Sequence, residues 1–109
     1  MQVAKEKGFK KRAQYYASKA YISQMRVGGT DHSLKEVIFL AISDFDMFPN
    51  KKSFKSDYVI LDKNSLEHDL KDFSFTFLEL PKFNKSLDQL DNIVEKWLYF
   101  FKHSEETRI

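Results

Sequence analysis

The sequence predicts a mixed α/β fold in which an open mixed β-sheet carries packed helices, in the order β-α-β-β-β-α. Two segments of helical length repeat small and apolar residues every three to four positions, one near each end of the chain. The apolar segments between them are short enough to be strands. A chain of 109 residues has the length of one compact domain. We predict a single domain over residues 1–103 and a frayed tail over 104–109.

The first elements are a strand end at residues 1–4 and a basic helix from Glu6 to about Val27. Two glycines follow this helix and allow the left-handed backbone with which helices commonly end. We place Tyr16 in the core, because it belongs to one stripe of small and apolar residues. That stripe consists of Phe9, Ala13, Tyr16, Ala17, Ala20 and Met25.

Three strands are predicted in the middle of the chain. The segment Val37–Ile42 is continuously apolar, which is typical of a strand covered on both faces. Phe54–Leu61 is the second strand, and Phe73–Phe77 is the third. The third strand alternates aromatic and polar residues, so that one face is expected to be buried. A charged segment with a short helical turn around Leu66 separates the last two strands, which we expect to pair antiparallel.

The last helix follows Ser86-x-x-Gln89, a spacing typical of a capping box. Eight apolar residues follow one another on a wide stripe, so we predict that much of this helix is buried or contacts another chain. Trp97 lies in the middle of the stripe and is assigned to the core or to an interface. The stripe consists of Leu87, Leu90, Val94, Trp97 and Phe101, widened by Ile93, Leu98 and Phe100.

The net charge of +2 is distributed unevenly along the chain. Residues 1–29 contain seven basic residues and one acid, whereas residues 30–80 contain six basic residues and ten acids. A basic helix is typical of an element that faces phosphate groups, and equally of a solvated helix face. Cysteine is absent, and the longest apolar run is far below the roughly 20 residues that span a bilayer. We therefore expect a cytoplasmic protein without membrane contact.

Three motifs of the sequence, Phe9-x-x-Arg12-x-x-Tyr15-Tyr16, Glu79-Leu80-Pro81-Lys82-Phe83 and Lys96-Trp97-Leu98, resemble those of the PD-(D/E)XK nuclease family transposases, the recombination-promoting nucleases of bacteria. The helix segment Phe9-x-x-Arg12-x-x-Tyr15-Tyr16 is similar to a helix that follows a core strand in that family. Glu79-Leu80-Pro81-Lys82-Phe83 is similar to a structural motif after a later strand, and Lys96-Trp97-Leu98 follows it at the spacing of the family. The resemblance implies a role in DNA recombination within a mobile element, and part of a restriction-endonuclease-like fold.

The resemblance also implies site residues. Gln2 matches the last position of an acid-x-Gln triplet, and neither catalytic acid of the family can be placed in this sequence. The chain is therefore expected to be a C-terminal segment without a metal cofactor that does not cleave DNA by itself, whereas a complete family member would bind Mg²⁺ or Mn²⁺. Arg12 is expected to contact either a phosphate or a carboxylate on the sheet. The predicted DNA-binding residues are Lys7, Lys10, Lys11, Arg12, Tyr15 and Lys19.

Acids elsewhere in the chain offer weaker alternatives for a metal site. Asp44-x-Asp46 follows a predicted strand and would aim both carboxylates alike only if that strand continued. Glu79 and Lys82 are one residue too far apart for a shared strand face, and Pro81 breaks the alternation. The three histidines lie far apart in the sequence, so no metal site is predicted.

A homodimer is the predicted assembly. The Phe-rich strand and the wide apolar stripe of the last helix offer more apolar surface than a monomer of this size readily covers. We expect a two-fold dimer, formed through a sheet edge or through helix-on-helix packing. The alternative to the transposase segment is thus a dimeric interaction module without catalysis, or a protein that binds DNA weakly and without sequence preference.

Overall fold

The computed structural model describes residues 8–26 and 33–106, which form two helices and one three-stranded mixed sheet in the order α-β-β-β-α. The helices are α1 (Phe9–Arg26) and α2 (Ile93–Glu106); the strands are β1 (Val37–Ser43), β2 (Lys55–Ile60) and β3 (Leu70–Glu79). Short 3₁₀ turns cover Leu80–Lys82 and Leu87–Gln89. The mixed α/β class is therefore confirmed, and the predicted strand at residues 1–4 lies outside the described residues.

Strand β3 lies in the centre of the sheet, between β1 and β2. It pairs parallel with β1, from Val37 opposite Phe73 to Ser43 opposite Glu79. It pairs antiparallel with β2, which confirms the predicted connection between these two strands. The segment between β2 and β3 contains the predicted single helical turn, which a 2.8 Å hydrogen bond from the Leu66 N–H to the Asp62 carbonyl closes. The Asp62 carboxylate accepts the backbone N–H groups of Asn64 and Ser65, as the N-cap residue of a helical turn does.

Helix α1 packs on one face of the sheet through its small residues. Ala13 and Ala17 are buried, and their small side chains allow the helix to approach β1 closely. The helix begins at Phe9 rather than at Glu6, because Gly8 has a φ of 88°, outside the right-handed helical region. The prediction that Tyr16 belongs to the core was wrong, since 53% of this residue is exposed.

Two hydrophobic clusters lie on opposite faces of β3. Phe77 belongs to the first cluster, with Ala13 and Met47, below α1. Leu78 belongs to the second, with Phe83 and Leu98, which α2 covers. The two clusters meet at consecutive residues because neighbouring side chains of a strand point to opposite faces. The core is therefore divided by the central strand.

Among the described residues, strand β1 is covered on one face only, whereas the sequence predicted cover on both faces. Its side chains alternate between half-buried and exposed along the strand, with Ile38, Leu40 and Ile42 on the exposed face. The continuous apolar run concealed this alternation, because hydrophobicity alone does not show whether a second layer covers a strand. In the part of the chain that the structure describes, no element packs over Ile38 or Leu40.

Helix α2 buries a different face from the predicted one. Its buried residues are Glu95 and Leu98, whereas Trp97 in the middle of the predicted stripe is 55% exposed. Of the two predicted alternatives for Trp97, this exposure excludes the core of its own chain, and the interface stays a prediction. The Ser86–Gln89 box closes the 3₁₀ turn, and α2 is capped instead by Asn92, whose Oδ1 accepts the Glu95 N–H at 2.9 Å. The helix continues to Glu106, past the start of the predicted tail.

Candidate functional site

The outer face of α1 carries most of the predicted DNA-binding residues. Lys11, Tyr15 and Lys19 follow one another at intervals of four, so they lie on one side of the helix, and all three are exposed. Arg12 is exposed beside them. Helix α1 contains no acid, so no carboxylate of the helix itself offsets this positive charge. The structure thus groups four of the six predicted residues on one solvent-facing side.

The other predicted residues are separated from this group. Lys10 turns towards the sheet, and its Nζ lies 4.8 Å from the ring centroid of Phe48. Lys7 lies outside the described residues, as does Gln2, the predicted remnant of the catalytic triplet. The Arg12 guanidinium lies 6.0 Å from the ring centroid of Phe9, and it forms no ion pair with a carboxylate of residues 8–26 or 33–106.

A buried ion-pair cluster lies at the carboxyl ends of β1 and β3. Glu79, the last residue of β3, is 0% exposed, and its Oε2 lies 2.9 Å from the Nζ of Lys82. The same Nζ lies 3.2 Å from a carboxylate oxygen of Asp46 and donates a 2.6 Å hydrogen bond to the carbonyl of Phe48. The backbone N–H groups of Met47 and Phe48 donate to Glu79 Oε2.

This cluster is built to hold the chain rather than to bind a divalent cation. Burial alone would lower the pKa of Lys82, but hydrogen bonds to Glu79 and Asp46 outweigh it, so the pKa is raised above its usual value. The ammonium group therefore stays charged between the two carboxylates. The carboxylates of Glu79 and Asp46, which a metal ion would need as ligands, are already paired with the Lys82 ammonium group. These residues therefore do not fit a metal ion. Among the described residues, no group of three or more His, Asp or Glu is arranged to hold a metal.

The remaining candidate residues do not gather into a site. Asp44 is exposed, and only Asp46 of the predicted pair contacts Lys82. His68 lies in the turn after β2, and His103 stacks on Tyr99 near the end of α2, with ring centroids 3.9 Å apart. His32 lies outside the described residues.

A second ion-pair cluster, which the sequence did not predict, lies at the start of α2. Lys85 Nζ lies 2.8 Å from a carboxylate oxygen of Glu95 and 3.0 Å from one of Asp91. The Lys85 hydrogen bond and the Asp91 backbone N–H hold the pKa of Glu95 below its usual value. The spacing Asn92-x-x-Glu95 is itself a helix-start pattern, and it would have located the true beginning of α2.

The fold and these surfaces define a mixed α/β protein. It has a basic face on α1 and a buried ion-pair cluster at the carboxyl ends of β1 and β3. The model of the PD-(D/E)XK nuclease family transposases matches residues 1–109, and the chain belongs to that family. No curated protein and no solved structure gave a match. Neither helix in the described part of the chain is long and apolar enough to span a membrane.

Proposed function

We propose that this chain is a DNA-contacting, non-cleaving protein of the transposase family from a bacterial mobile element, acting in the cytoplasm. The proposal rests on membership of the family and on the acid-free outer face of α1, with its exposed Lys11, Arg12 and Lys19. Phosphate groups are attracted to such a face whatever the base sequence. The described strands and helices would then form part of a restriction-endonuclease-like fold, with the predicted strand at residues 1–4 preceding α1.

Replacing Lys11, Arg12 and Lys19 together by Ala is expected to weaken DNA binding and to make it less dependent on salt. Each lost phosphate contact reduces the slope of log K against log salt by about 0.9, so the slope should fall by about 2–3. The wild-type dissociation constant is expected at about 1–100 µM in physiological salt. Fluorescence anisotropy with a labelled duplex between 50 and 200 mM salt measures both quantities.

A matched control removes the same charge elsewhere. Lys52, Lys63 and Lys71 are exposed and lie outside α1, so their joint replacement by Ala should leave most of the salt slope intact. Equal loss in both triple variants would show that only net charge matters, and would reject the α1 face. The same preparations, incubated with plasmid and Mg²⁺ or Mn²⁺, should not nick it. Nicking that disappears in Asp44→Ala would contradict the non-cleaving assignment.

A homodimer is the second proposal, and the outer face of α2 supports it. Ile93, Trp97 and Phe100 are each more than half exposed, and the Trp97 ring stacks on Phe101 at 5.8 Å. Apolar surface of this kind on a chain of 12.9 kDa is commonly covered by another chain. A two-fold axis would bring the same face of both copies together.

Replacing both Trp97 and Phe100 by Ser is expected to shift the protein from dimer to monomer. Both side chains contact solvent in the single chain, so their removal should affect association far more than folding. Light scattering across the micromolar range gives the mass, and Leu66→Asn serves as the control because Leu66 is also an apolar residue that is more than half exposed, in the β2–β3 turn. A wild-type mass of 12.9 kDa throughout that range would reject the dimer.

A further inference from the structure

An apolar cavity of about 270 Å³ opens between α1 and the sheet. Four aromatic side chains line it, and Ala13 lies at its helical side. The rings contact one another at angles: Phe48 and Phe77 have centroids 5.5 Å apart at 72°, and Tyr58 and Phe77 are 5.8 Å apart at 73°. Rings arranged in this way present faces and edges against which a further ring can pack. The aromatic lining consists of Phe48, Tyr58, Phe75 and Phe77.

Two ammonium groups flank this cavity. Lys10, which lines it, has its Nζ 4.8 Å from the Phe48 ring centroid. Lys51 Nζ lies 5.6 Å from the same centroid and 4.6 Å from that of Tyr58. Neither ammonium group forms an ion pair with a carboxylate in the described ranges. Two positive charges therefore stand beside an apolar cavity without a counter-ion there.

We infer that this cavity binds a small arylalkanoic acid. Its ring packs against the aromatic side chains, and its carboxylate forms ion pairs with Lys10 and Lys51. The apolar lining recognises the ring, and the ammonium groups recognise the anion. A nucleotide fits less well, because the polar edges of its base would find few partners among these rings. The cavity does not depend on the proposed DNA interface, since Lys10 points away from Lys11, Tyr15 and Lys19.

The volume limits the ligand to one ring with a short chain. A dry apolar cavity of about 150 Å³ is large enough to bind benzene. The additional space here accommodates a chain of two or three carbon atoms that carries the carboxylate to the rim. The compound 3-phenylpropionate meets these requirements, and 3-phenylpropanol is its neutral counterpart.

The test is an NMR titration of the full chain with 3-phenylpropionate, 3-phenylpropanol and thymidine monophosphate. We expect 3-phenylpropionate to bind with a dissociation constant on the order of 1 mM, with the largest shifts at Ala13 and Ile60. The alcohol should bind several-fold more weakly. Lys10→Met and Lys51→Met should each weaken acid binding about 2–5-fold, and the double variant should bind acid and alcohol alike.

Two matched variants make the result specific. Lys63→Met removes another exposed charge, in the β2–β3 turn, and should leave binding unchanged. Gln14→Trp places a ring at a cavity-lining position and should abolish binding, whereas Ser18→Trp, one turn further along α1, should not. Equal affinity for acid and alcohol in the wild type, or a preference for thymidine monophosphate, would overturn the inference. Shifts that survive Gln14→Trp would overturn it too.

Discussion

Replacing Glu79 by Ala is expected to lower the free energy of unfolding by about 3–5 kcal/mol, a cost typical of removing one partner of a buried ion pair. The change leaves the Lys82 ammonium with the half-exposed Asp46 as its remaining carboxylate partner. It also removes the acceptor of two backbone N–H groups, those of Met47 and Phe48. Urea denaturation followed by circular dichroism measures the difference.

Two further variants protect this result from ambiguity. A loss of that size approaches the whole stability of many small domains, so Glu79→Ala is at risk of not folding. Glu79→Gln retains a carbonyl oxygen for the two N–H groups while it removes the charge, and its cost should be smaller, about 1–3 kcal/mol. Glu67→Ala removes an exposed acid from the turn after β2 and should cost less than about 0.5 kcal/mol. Equal stability of the Glu79 and Glu67 variants would refute a structural role for the cluster.

Replacing Phe83 by Ala is the second large effect, with an expected loss of about 3–5 kcal/mol. Phe83 is 1% exposed, and its ring meets that of Phe54 edge to face at a centroid distance of 5.0 Å. Its removal opens a cavity between Leu78 and Leu98, and the surrounding side chains can fill this only in part. Thermal unfolding and urea midpoints measure the loss.

Phe100→Ala provides the matched control, because Phe100 is 62% exposed in the single chain. At a protein concentration low enough for monomers it should cost less than about 1 kcal/mol. If Phe100→Ala proved as costly as Phe83→Ala in the monomer, the orientation of α2 described above would be wrong. A cost for Phe100→Ala that rises with protein concentration would instead locate this residue in an interface.

The rotation of α2 shows why hydrophobic spacing predicted a helix but not its buried face. The apolar residues of α2 face one side of the helix and Leu98 lies at the margin of that side, so spacing alone leaves open whether the centre of the apolar face or the side beyond Leu98 is buried. Polar contacts decide between them: Glu95 bonds Lys85, and Lys102 donates to the Phe83 carbonyl at 2.6 Å. These partners lie 10 and 19 residues away in the chain, so local periodicity contains no information about them.

The Glu79 cluster was missed for a different reason. The sequence prediction applies the alternation of a strand to Glu79 and Lys82, and in a strand their spacing places the two side chains on opposite faces. The strand ends at Glu79, however, and Pro81 belongs to a 3₁₀ turn. In such a turn residues three apart are eclipsed, which brings Lys82 back beside Glu79. The grouping of Lys11, Tyr15 and Lys19 on α1, by contrast, follows from helical spacing alone, and their contact with DNA stays a prediction.

The central strand makes the register of the sheet unusually well determined. Phe77 fills the cluster below α1, Leu78 fills the cluster below α2, and Glu79 closes the ion pair that anchors residues 46–48. A slip of β3 by a single position would exchange the two faces and carry the carboxylate away from its partners at once. Three different interactions, made by three consecutive residues, would thus each be lost if β3 slipped by one position. The position of β3 between the two helices is therefore fixed by its last three residues.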